Sequence, residues 1–185
     1  MRIIGGQAKG RRIFVPKGHI RPTSDMIKEA LFNILPPMEG KTFLDLFAGT
    51  GSIGLEAMSR GAVKVVFVEV NRFSIETIKK NLSVCGFNNK HEIISASVRD
   101  GVKLLNKKKE QFDVIFADPP YERGFIKETL CLLGSGSLVS EDGIIVIQHS
   151  CREESDWNAD EFALMDQKRY SDTMVSFLKM HSERI

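Results

Sequence analysis

Two short motifs hold the residue types and spacings that could do chemistry in this chain. The first is a glycine-rich turn, Gly49-x-Gly51-x-x-Gly54, and the second is a D-P-P-Y turn at positions 118–121. An apolar run precedes each motif, so each is expected where a buried strand ends. Because ligands of doubly wound sheets bind at the carboxyl ends of the strands, the two motifs are predicted to share one site.

The glycine-rich turn predicts a cradle for a nucleotide-like cofactor. Gly49 and Gly51 can adopt positive φ and let a ligand approach the backbone, while Gly54 lets the next helix pack closely on the sheet. The same spacing occurs in dinucleotide-binding proteins and does not distinguish NAD from S-adenosylmethionine. Asp45, inside the preceding strand, favours S-adenosylmethionine, because a carboxylate repels a pyrophosphate and attracts an ammonium or a sulfonium.

The D-P-P-Y turn predicts methyl transfer to a planar amino group. The Asp118 carboxylate and the Pro119 carbonyl can both accept N–H bonds from that group, which favours the nitrogen as it develops charge. Consecutive prolines hold the carbonyl direction because their φ is locked. Tyr121 can stack on the base. Asp118 can also take the departing proton, although water can do the same. The predicted catalytic residues are therefore Asp118, Pro119 and Tyr121.

Basic residues are concentrated at the start of the chain. Residues 1–24 contain six Arg or Lys and no acid, which leaves 20 basic against 24 acidic residues in the remainder. This asymmetry predicts that the N-terminal segment meets a polyanion, although a solvated basic terminus would look the same. The six residues are Arg2, Lys9, Arg11, Arg12, Lys17 and Arg21.

These motifs resemble one enzyme family. D-L-F-A-G-T-G at 45–51, D-P-P-Y at 118–121, and an opening R-I-I-G-G at 2–6 with R-P-T at 21–23 are similar to ribosomal RNA small subunit methyltransferase D. The resemblance extends over essentially the whole chain, and the opening stretch carries the narrower assignment. It implies an S-adenosylmethionine-dependent enzyme that methylates N2 of one guanine in 16S rRNA. Because the basic surface of the chain is small, we expect this RNA to be presented in a partly or fully assembled 30S subunit, with naked rRNA as the alternative.

The strand ends predict where each part of the cofactor binds. The glycine-rich turn would hold the methionine part. Glu69, twenty residues after Gly49, would accept both ribose hydroxyls; an acid beside the helix cap Asn71 is the competing interpretation. Ser97 would hold the adenine, where related enzymes more often have Asp or Asn; Asp100 could substitute, and a helix cap explains Ser97 equally well. The predicted cofactor contacts are Asp45, Phe47, Ala48, Gly49, Thr50, Gly51, Glu69, Val70, Ser97, Val98 and Asp118.

The RNA contacts are predicted from charge and from the need to expose the target base. A paired or stacked base cannot reach such a turn, so it must be flipped out or already unpaired. Lys79, Lys80 and the run 107–109 are interpreted as solvated faces, and His149 and Trp157 as core or loop residues. The predicted RNA contacts are Arg2, Lys9, Arg11, Arg12, Arg21, Thr23 and Tyr121.

Apolar runs alternate with helical patterns, which predicts an α/β fold. Five βα units followed by a β-hairpin give the chain order of a class I S-adenosylmethionine-dependent methyltransferase, a Rossmann-like, doubly wound seven-stranded sheet with a reversed C-terminal strand. A basic N-terminal β-hairpin at 1–22 would precede a methyltransferase domain at 23–185, with Thr23 or Ser24 capping its first helix. The predicted strands are 42–47, 64–69, 91–96, 112–117, 143–148, 162–170 and 173–180.

Composition bounds the class of protein. With 185 residues, 42% hydrophobic and 27% charged, the chain is typical of a soluble globular domain. Cys85, Cys131 and Cys151 have no metal-ligand spacing and are expected to be reduced thiols. The sequence has no signal-peptide pattern and no apolar run of membrane-spanning length. We therefore expect a cytoplasmic protein without metal or membrane partner, monomeric by default.

Four other functions fit part of the pattern. A (D/N)PPY turn also presents adenine N6 or glutamine N5, but both enzyme classes usually have Asn where this chain has Asp118. An NAD-dependent oxidoreductase would have to tolerate Asp45 and would leave the D-P-P-Y turn unexplained. An RNA-binding protein with a decayed site is disfavoured because every expected motif except the adenine contact is intact.

Overall fold

The computed structural model describes residues 1–16, 24–153 and 161–181 of the 185-residue chain. The helices are α1 (Asp25–Ile34), α2 (Ser52–Ser59), α3 (Arg72–Cys85), α4 (Val98–Lys107) and α5 (Phe125–Gly134). The strands are β1 (Thr42–Leu46), β2 (Lys64–Glu69), β3 (His91–Ser95), β4 (Phe112–Ala117), β5 (Val139–Ser150), β6 (Phe162–Tyr170) and β7 (Thr173–Met180). Within these ranges, no helix is long and apolar enough to cross a membrane.

The described strands form one sheet in the order β3-β2-β1-β4-β5-β7-β6. The first five strands pair in parallel, and β7 runs antiparallel to both β5 and β6. The predicted fold class and its reversed strand are thereby confirmed. Chain order changes direction between β1 and β4, which is where a doubly wound sheet binds its ligand.

The observed element bounds differ little from the predicted ones. β1 and β3 each end one residue earlier than predicted, and β5 extends beyond the predicted 143–148 to Val139–Ser150. Helices α2 to α5 follow β1 to β4 as predicted. The segment between β5 and β6 contains residues 154–160, which lie outside the described residues. The fifth predicted βα unit therefore stays a prediction.

Two apolar layers cover the faces of the sheet. Side chains of α1, α2 and α3 share one buried cluster with Phe43 and Phe67, whereas those of α4 and α5 share another with Leu44 and Val68. Neighbouring residues of a strand point to opposite faces, so strands buried on both sides are apolar throughout. This packing aligns the carboxyl ends of β1, β2 and β4 at one edge.

The N-terminal segment, residues 1–16, packs on α2. It forms the predicted hairpin in minimal form, with one antiparallel bridge between Arg2 and Arg12. The fully buried Glu56 carboxylate accepts the N–H groups of Ile4 at 2.8 Å and Gly5 at 2.7 Å. Such hydrogen bonds to a buried charge are strong. The segment therefore shares a core with the sheet domain. The proposed boundary at residue 22 lies in the range 17–23, outside the described residues.

A buried lysine ties the same segment to α1. The Lys28 side chain is inaccessible to solvent, and its ammonium group donates to the carbonyl of Arg2. Burial lowers the pKa of Lys28, while the Glu56 and Asp25 carboxylates oppose that shift. Ser24 caps α1 by accepting the N–H of Ile27, as one of the two predicted cap positions. The other, Thr23, lies outside the described residues.

Candidate active site

A cavity of about 760 Å³ opens at the carboxyl ends of β1, β2 and β4. It brings together the glycine-rich turn and the D-P-P-Y turn, which are about 70 residues apart in the sequence. The predicted site residues that line it are Asp45, Phe47, Ala48, Gly49, Thr50, Glu69, Val70, Asp118, Pro119 and Tyr121.

A second cavity, of about 320 Å³, adjoins the first. Ser97 and Val98, the residues predicted to contact the adenine, line this second cavity. Its other walls are largely apolar, with Phe125 and Leu132 among them. The residues that border both cavities are Phe47, Glu69, Val70 and Pro120. An elongated ligand could therefore extend from one cavity to the other past Glu69.

The turn after β1 has an unusual backbone. Gly49 and Gly51 have φ of 55° and 75°, as the glycine spacing predicts, and Gly51 caps α2. Phe47 also has a positive φ, of 58°, which is uncommon for a bulky residue. Its ring lies edge-on to Phe125, with centroids 6.0 Å apart. No sequence pattern predicted this strained residue, and such strain is frequent at ligand sites.

Asp45 is a buried carboxylate at the base of the larger cavity. It is only 2% exposed and accepts the N–H of Gly54 at 2.9 Å, which anchors the first turn of α2. Burial raises the pKa of Asp45 well above its usual range, and the nearby Asp118 and Glu69 carboxylates act in the same direction against the Gly54 hydrogen bond. Asp45 therefore has a structural role besides its predicted electrostatic one.

Glu69 ties the glycine-rich turn to the start of α3. One carboxylate oxygen accepts the N–H of Gly49 at 2.8 Å, and the other accepts those of Val70 and Asn71 at 2.8 and 2.7 Å. Asn71 caps α3 as predicted. Glu69 therefore acts as an acid at a helix N-terminus, which was the competing interpretation. Its predicted contact with ribose hydroxyls stays a prediction.

The charge of the larger cavity distinguishes between cofactor classes. Asp45, Glu69 and Asp118 line it, and no Lys, Arg or His among the described residues does so. A cavity with three carboxylates fits a cationic ligand and repels the pyrophosphate of a dinucleotide. The described residues also contain no group of three His, Cys, Asp or Glu side chains able to hold a metal ion.

The D-P-P-Y turn has a neighbour that sequence reasoning missed. The side-chain amide of Gln148 donates to the Tyr121 hydroxyl at 3.4 Å, and Gln148 is only 5% exposed. The signal in the sequence was the polar residue at the end of the run G-I-I-V-I-Q. Because β5 lies beside β4 in a parallel sheet, a polar residue at the end of β5 comes close to the D-P-P-Y turn. The other missed residues at the rim include Ser24, the cap of α1, Met26 and Ile27 of α1, and Tyr170, Ser171 and Thr173 around the β6–β7 turn.

Ser97 caps α4 and is bonded to Asp100. Its hydroxyl accepts the Asp100 N–H at 3.2 Å and donates to the Asp100 carboxylate at 2.7 Å. The helix-cap interpretation of Ser97 is therefore correct. A contact between adenine and either residue stays a prediction.

Comparison with known proteins identifies the family. A family model described as conserved hypothetical protein 95 matches residues 1–179. A Bacillus subtilis protein, putative rRNA methyltransferase YlbH, is 33% identical over 97% of this chain and 98% of its own. Ribosomal RNA small subunit methyltransferase D of Escherichia coli K12 is 35% identical over 80% of this chain and 74% of its own. The chain belongs to the ribosomal RNA small subunit methyltransferase D family.

Solved structures agree with this family assignment. A putative methyltransferase, yhhF from Escherichia coli, superposes with a TM-score of 0.86 at 26% identity and covers 99% of each chain. A putative methylase from Haemophilus influenzae gives a TM-score of 0.79 at 29% identity and covers 98% of each chain. The whole described fold, including the N-terminal segment, is thus that of the family.

Among the predicted RNA contacts that the structure describes, Tyr121 lines the cavity, and Arg2, Lys9, Arg11 and Arg12 lie outside it. Arg2 pairs with the Asp25 carboxylate at 3.3 Å, and the Arg11 guanidinium donates to the carbonyl of Val84 at 2.7 Å. Both Arg residues and the neighbouring Lys9 and Arg12 are exposed. Arg21 and Thr23 lie outside the described residues, so their predicted contacts stay predictions.

His149 and Trp157 were interpreted as core or loop residues. His149 is 2% exposed, and its Nε2 atom is 2.8 Å from the Ser176 hydroxyl. Burial lowers the pKa of His149, against a hydrogen bond to the Ser150 carbonyl. The core interpretation of His149 is confirmed, whereas Trp157 lies outside the described residues.

Asn81 links the N-terminal segment of this family member to the cofactor turn. Its buried amide donates to the carbonyls of Phe14 and Thr50, both at 3.0 Å, and accepts the Phe14 N–H at 2.7 Å. Nothing in the α3 pattern distinguished this residue from an ordinary buried asparagine. Its position shows how a buried polar side chain on one helix can hold two loops.

Replacing Asn81 by Asp is expected to lower the free energy of unfolding by about 2 kcal/mol and to weaken cofactor binding severalfold. An ionised carboxylate cannot donate, so the carbonyls of Phe14 and Thr50 lose their partner, and each unsatisfied group costs about 1–3 kcal/mol. Urea unfolding and calorimetric titration with S-adenosylmethionine measure the two effects. Ser59→Ala is the matched control, because it removes the hydrogen bond to the Ala8 N–H without touching Thr50. Equal affinities of Asn81→Asp and Ser59→Ala for S-adenosylmethionine would contradict the link between Asn81 and the cofactor turn.

Proposed function

We propose that this chain transfers a methyl group from S-adenosyl-L-methionine to the exocyclic N2 amino group of a guanine in 16S rRNA. The observation that carries the proposal is the D-P-P-Y turn, at 118–121, at the wall of the carboxylate-lined cavity formed by the glycine-rich turn. The names of the two relatives described above, a putative rRNA methyltransferase and a ribosomal RNA small subunit methyltransferase, support RNA as the substrate class.

The cofactor is S-adenosylmethionine, and the residues present fit it. When bound, it supplies an activated methyl group. The two adjoining cavities have room for an amino-acid end and a nucleoside end, with Glu69 between them for the ribose hydroxyls. Asp45 and Asp118 provide negative charge for its cationic centres. Ser97 or Asp100 would accept from the adenine amino group.

The chain's own groups would activate the target nitrogen. The lone pair of a guanine amino group is delocalised into the ring, so the enzyme must localise it. The Asp118 carboxylate and the Pro119 carbonyl would accept its two N–H bonds, and this interaction strengthens as the nitrogen becomes positive. Tyr121, held by Gln148, would stack on the flipped base. Asp118 or water then takes the proton.

The proposal is tested by labelled methyl transfer to 30S subunits from a strain that lacks the gene, followed by mapping of the modified nucleotide. One N2-methylguanine in 16S rRNA is the expected product. Label in adenine N6, in DNA or in a glutamine of a protein would replace guanine as the substrate and keep the chemistry. Absence of label in every substrate, with cofactor binding intact, would overturn the proposal in favour of RNA binding without catalysis.

The substrate form follows from the small number of basic residues at the site. Because the basic residues that the sequence predicts to contact phosphates all lie within residues 1–24, we propose that the assembling subunit, in the cytoplasm, presents the target guanine. We expect 16S rRNA with bound ribosomal proteins to be methylated much faster than a protein-free transcript. Equal initial rates on the two substrates would refute this part of the proposal.

A further inference from the structure

Phe73 is an aromatic side chain without a place in the core. It lies in the first turn of α3 and is 84% exposed, the largest fraction among the large apolar residues described. Two residues before it, Asn71 borders the larger cavity, as Val70 and Ser74 also do. A single exposed apolar residue is ordinary, whereas exposed apolar residues grouped beside a ligand site are typical of binding surfaces.

A second exposed aromatic residue, from the N-terminal segment, lies beside the same helix. Phe14 of the N-terminal segment is 46% exposed, and its main chain is bonded to Asn81 of α3. The Lys80 ammonium lies 4.1 Å from the centroid of the Phe14 ring. Lys80 follows Phe73 by seven residues, or about 10 Å along the helix. The surface therefore extends from the rim of the cavity to the N-terminal segment.

The charge of this surface is mainly positive. The exposed residues of α3 include Arg72, Lys79 and Lys80, and Glu76 is the single acid in residues 72–84, where it pairs with Lys79 at 2.7 Å. The exposed basic and aromatic residues of this surface, called the α3 face from here on, are Arg12, Phe14, Arg72, Phe73, Lys79 and Lys80.

We propose that the α3 face binds unpaired nucleotides that flank the target nucleotide. The inference rests on the proposed function, since it assigns this surface to the same RNA. Phe73 and Phe14 would stack on bases, while Lys80 and Arg12 contact phosphates. Alternation of aromatic and cationic side chains favours RNA over a protein partner, because cores of protein interfaces are poor in charged residues.

The first test measures binding of 30S subunits from a strain that lacks the gene, without cofactor. Phe73→Ala is expected to weaken binding by about tenfold, because one base loses its stacking surface. Leu104→Ala on α4, across the sheet, is the matched control, since Leu104 is a 41% exposed apolar residue. Equal affinities of Phe73→Ala and wild type would overturn the proposal.

The second test identifies the bound molecule. A photo-crosslinking p-benzoylphenylalanine in place of Phe73 is expected to attach to 16S rRNA in the 30S complex. Attachment to a ribosomal protein alone would overturn the proposal. Lys80→Ala is expected to reduce the slope of log affinity against log salt by about 0.7 to 1, whereas Lys103→Ala on α4 leaves it unchanged. An unaltered slope for Lys80→Ala would remove that residue from the RNA surface.

Methyl transfer by the wild type is measured in parallel to separate the two proposals. If the wild type methylates no guanine of 30S subunits, the proposed function fails whatever the α3 face binds. If the wild type methylates them and Phe73→Ala binds as tightly as the wild type, only the α3 face fails.

Discussion

Asp118→Asn is expected to reduce kcat for methylation of 30S subunits by about 10²- to 10³-fold. Asn retains the shape of the side chain and one acceptor oxygen, but it has no charge to stabilise the positive nitrogen of the transition state. The affinity for S-adenosylmethionine should change far less, because Asp45 and Glu69 still line the cavity. Single-turnover rates with saturating cofactor, together with calorimetric titration, separate the two quantities.

Asp113→Asn is the matched control for this variant. Asp113 lies near the start of β4, the strand that Asp118 directly follows, and it accepts from Lys41 and Thr42 at 3.0 and 2.8 Å. Burial opposes the ionised form of Asp113, yet these hydrogen bonds prevail and lower its pKa. We expect Asp113→Asn to lose stability and keep its kcat. A kcat of Asp118→Asn within threefold of the control would exclude a catalytic role for the carboxylate.

Asp45→Asn is expected to act in opposite directions on stability and on cofactor affinity. The buried carboxylate costs free energy in the folded protein when it ionises, so an amide at this position should raise the free energy of unfolding at neutral pH. The same change removes a charge that attracts the cationic cofactor. We expect at least about tenfold weaker binding of S-adenosylmethionine. Thermal unfolding without cofactor and calorimetric titration with it measure the two effects.

The pH dependence of the wild type follows from the same residue. Because the pKa of Asp45 is raised in the folded protein, the folded state holds a proton there that the unfolded state has released above the ordinary value of 3.8. The contribution of Asp45 to stability is therefore complete below that value and is lost as pH rises through the folded pKa. Cofactor binding favours the ionised form, so affinity should rise over the same window. Asp45→Asn should flatten both profiles, and identical profiles in wild type and variant would contradict this account.

Local sequence patterns determined the elements of this fold and the two motifs of its site. Apolar runs bounded by glycine and proline predicted the strands of the sheet to within a residue or two, except for β5. Runs such as K-V-V-F-V-E are so apolar that only a strand buried on both faces accommodates them. The cap residue Asn71 was predictable for a similar reason, since an N-terminal cap needs a side chain that accepts main-chain N–H groups.

Contacts between residues far apart in the chain were decided by the tertiary structure. Glu56 and Asn81 lie in ordinary helical patterns. Yet Glu56 holds the N-terminal segment, and Asn81 holds the glycine-rich turn. Their partners are main-chain groups, which carry no side-chain signature in the sequence. The contact of Gln148 with Tyr121 was also decided by the tertiary structure, because it depends on β5 lying beside β4.

The chemistry of the site could be predicted because it depends on residue types within short motifs, the acid and glycines of one turn and the Asp-Pro-Pro-Tyr of another. The neighbours of these motifs could not be predicted, because they depend on which strand ends meet. Phe73 shows the same division: the helical pattern placed it on the exposed side of α3, and only the folded chain placed that side between the cavity and Phe14. Local propensity thus determined the elements and motifs, while long-range packing decided the surfaces that they form together.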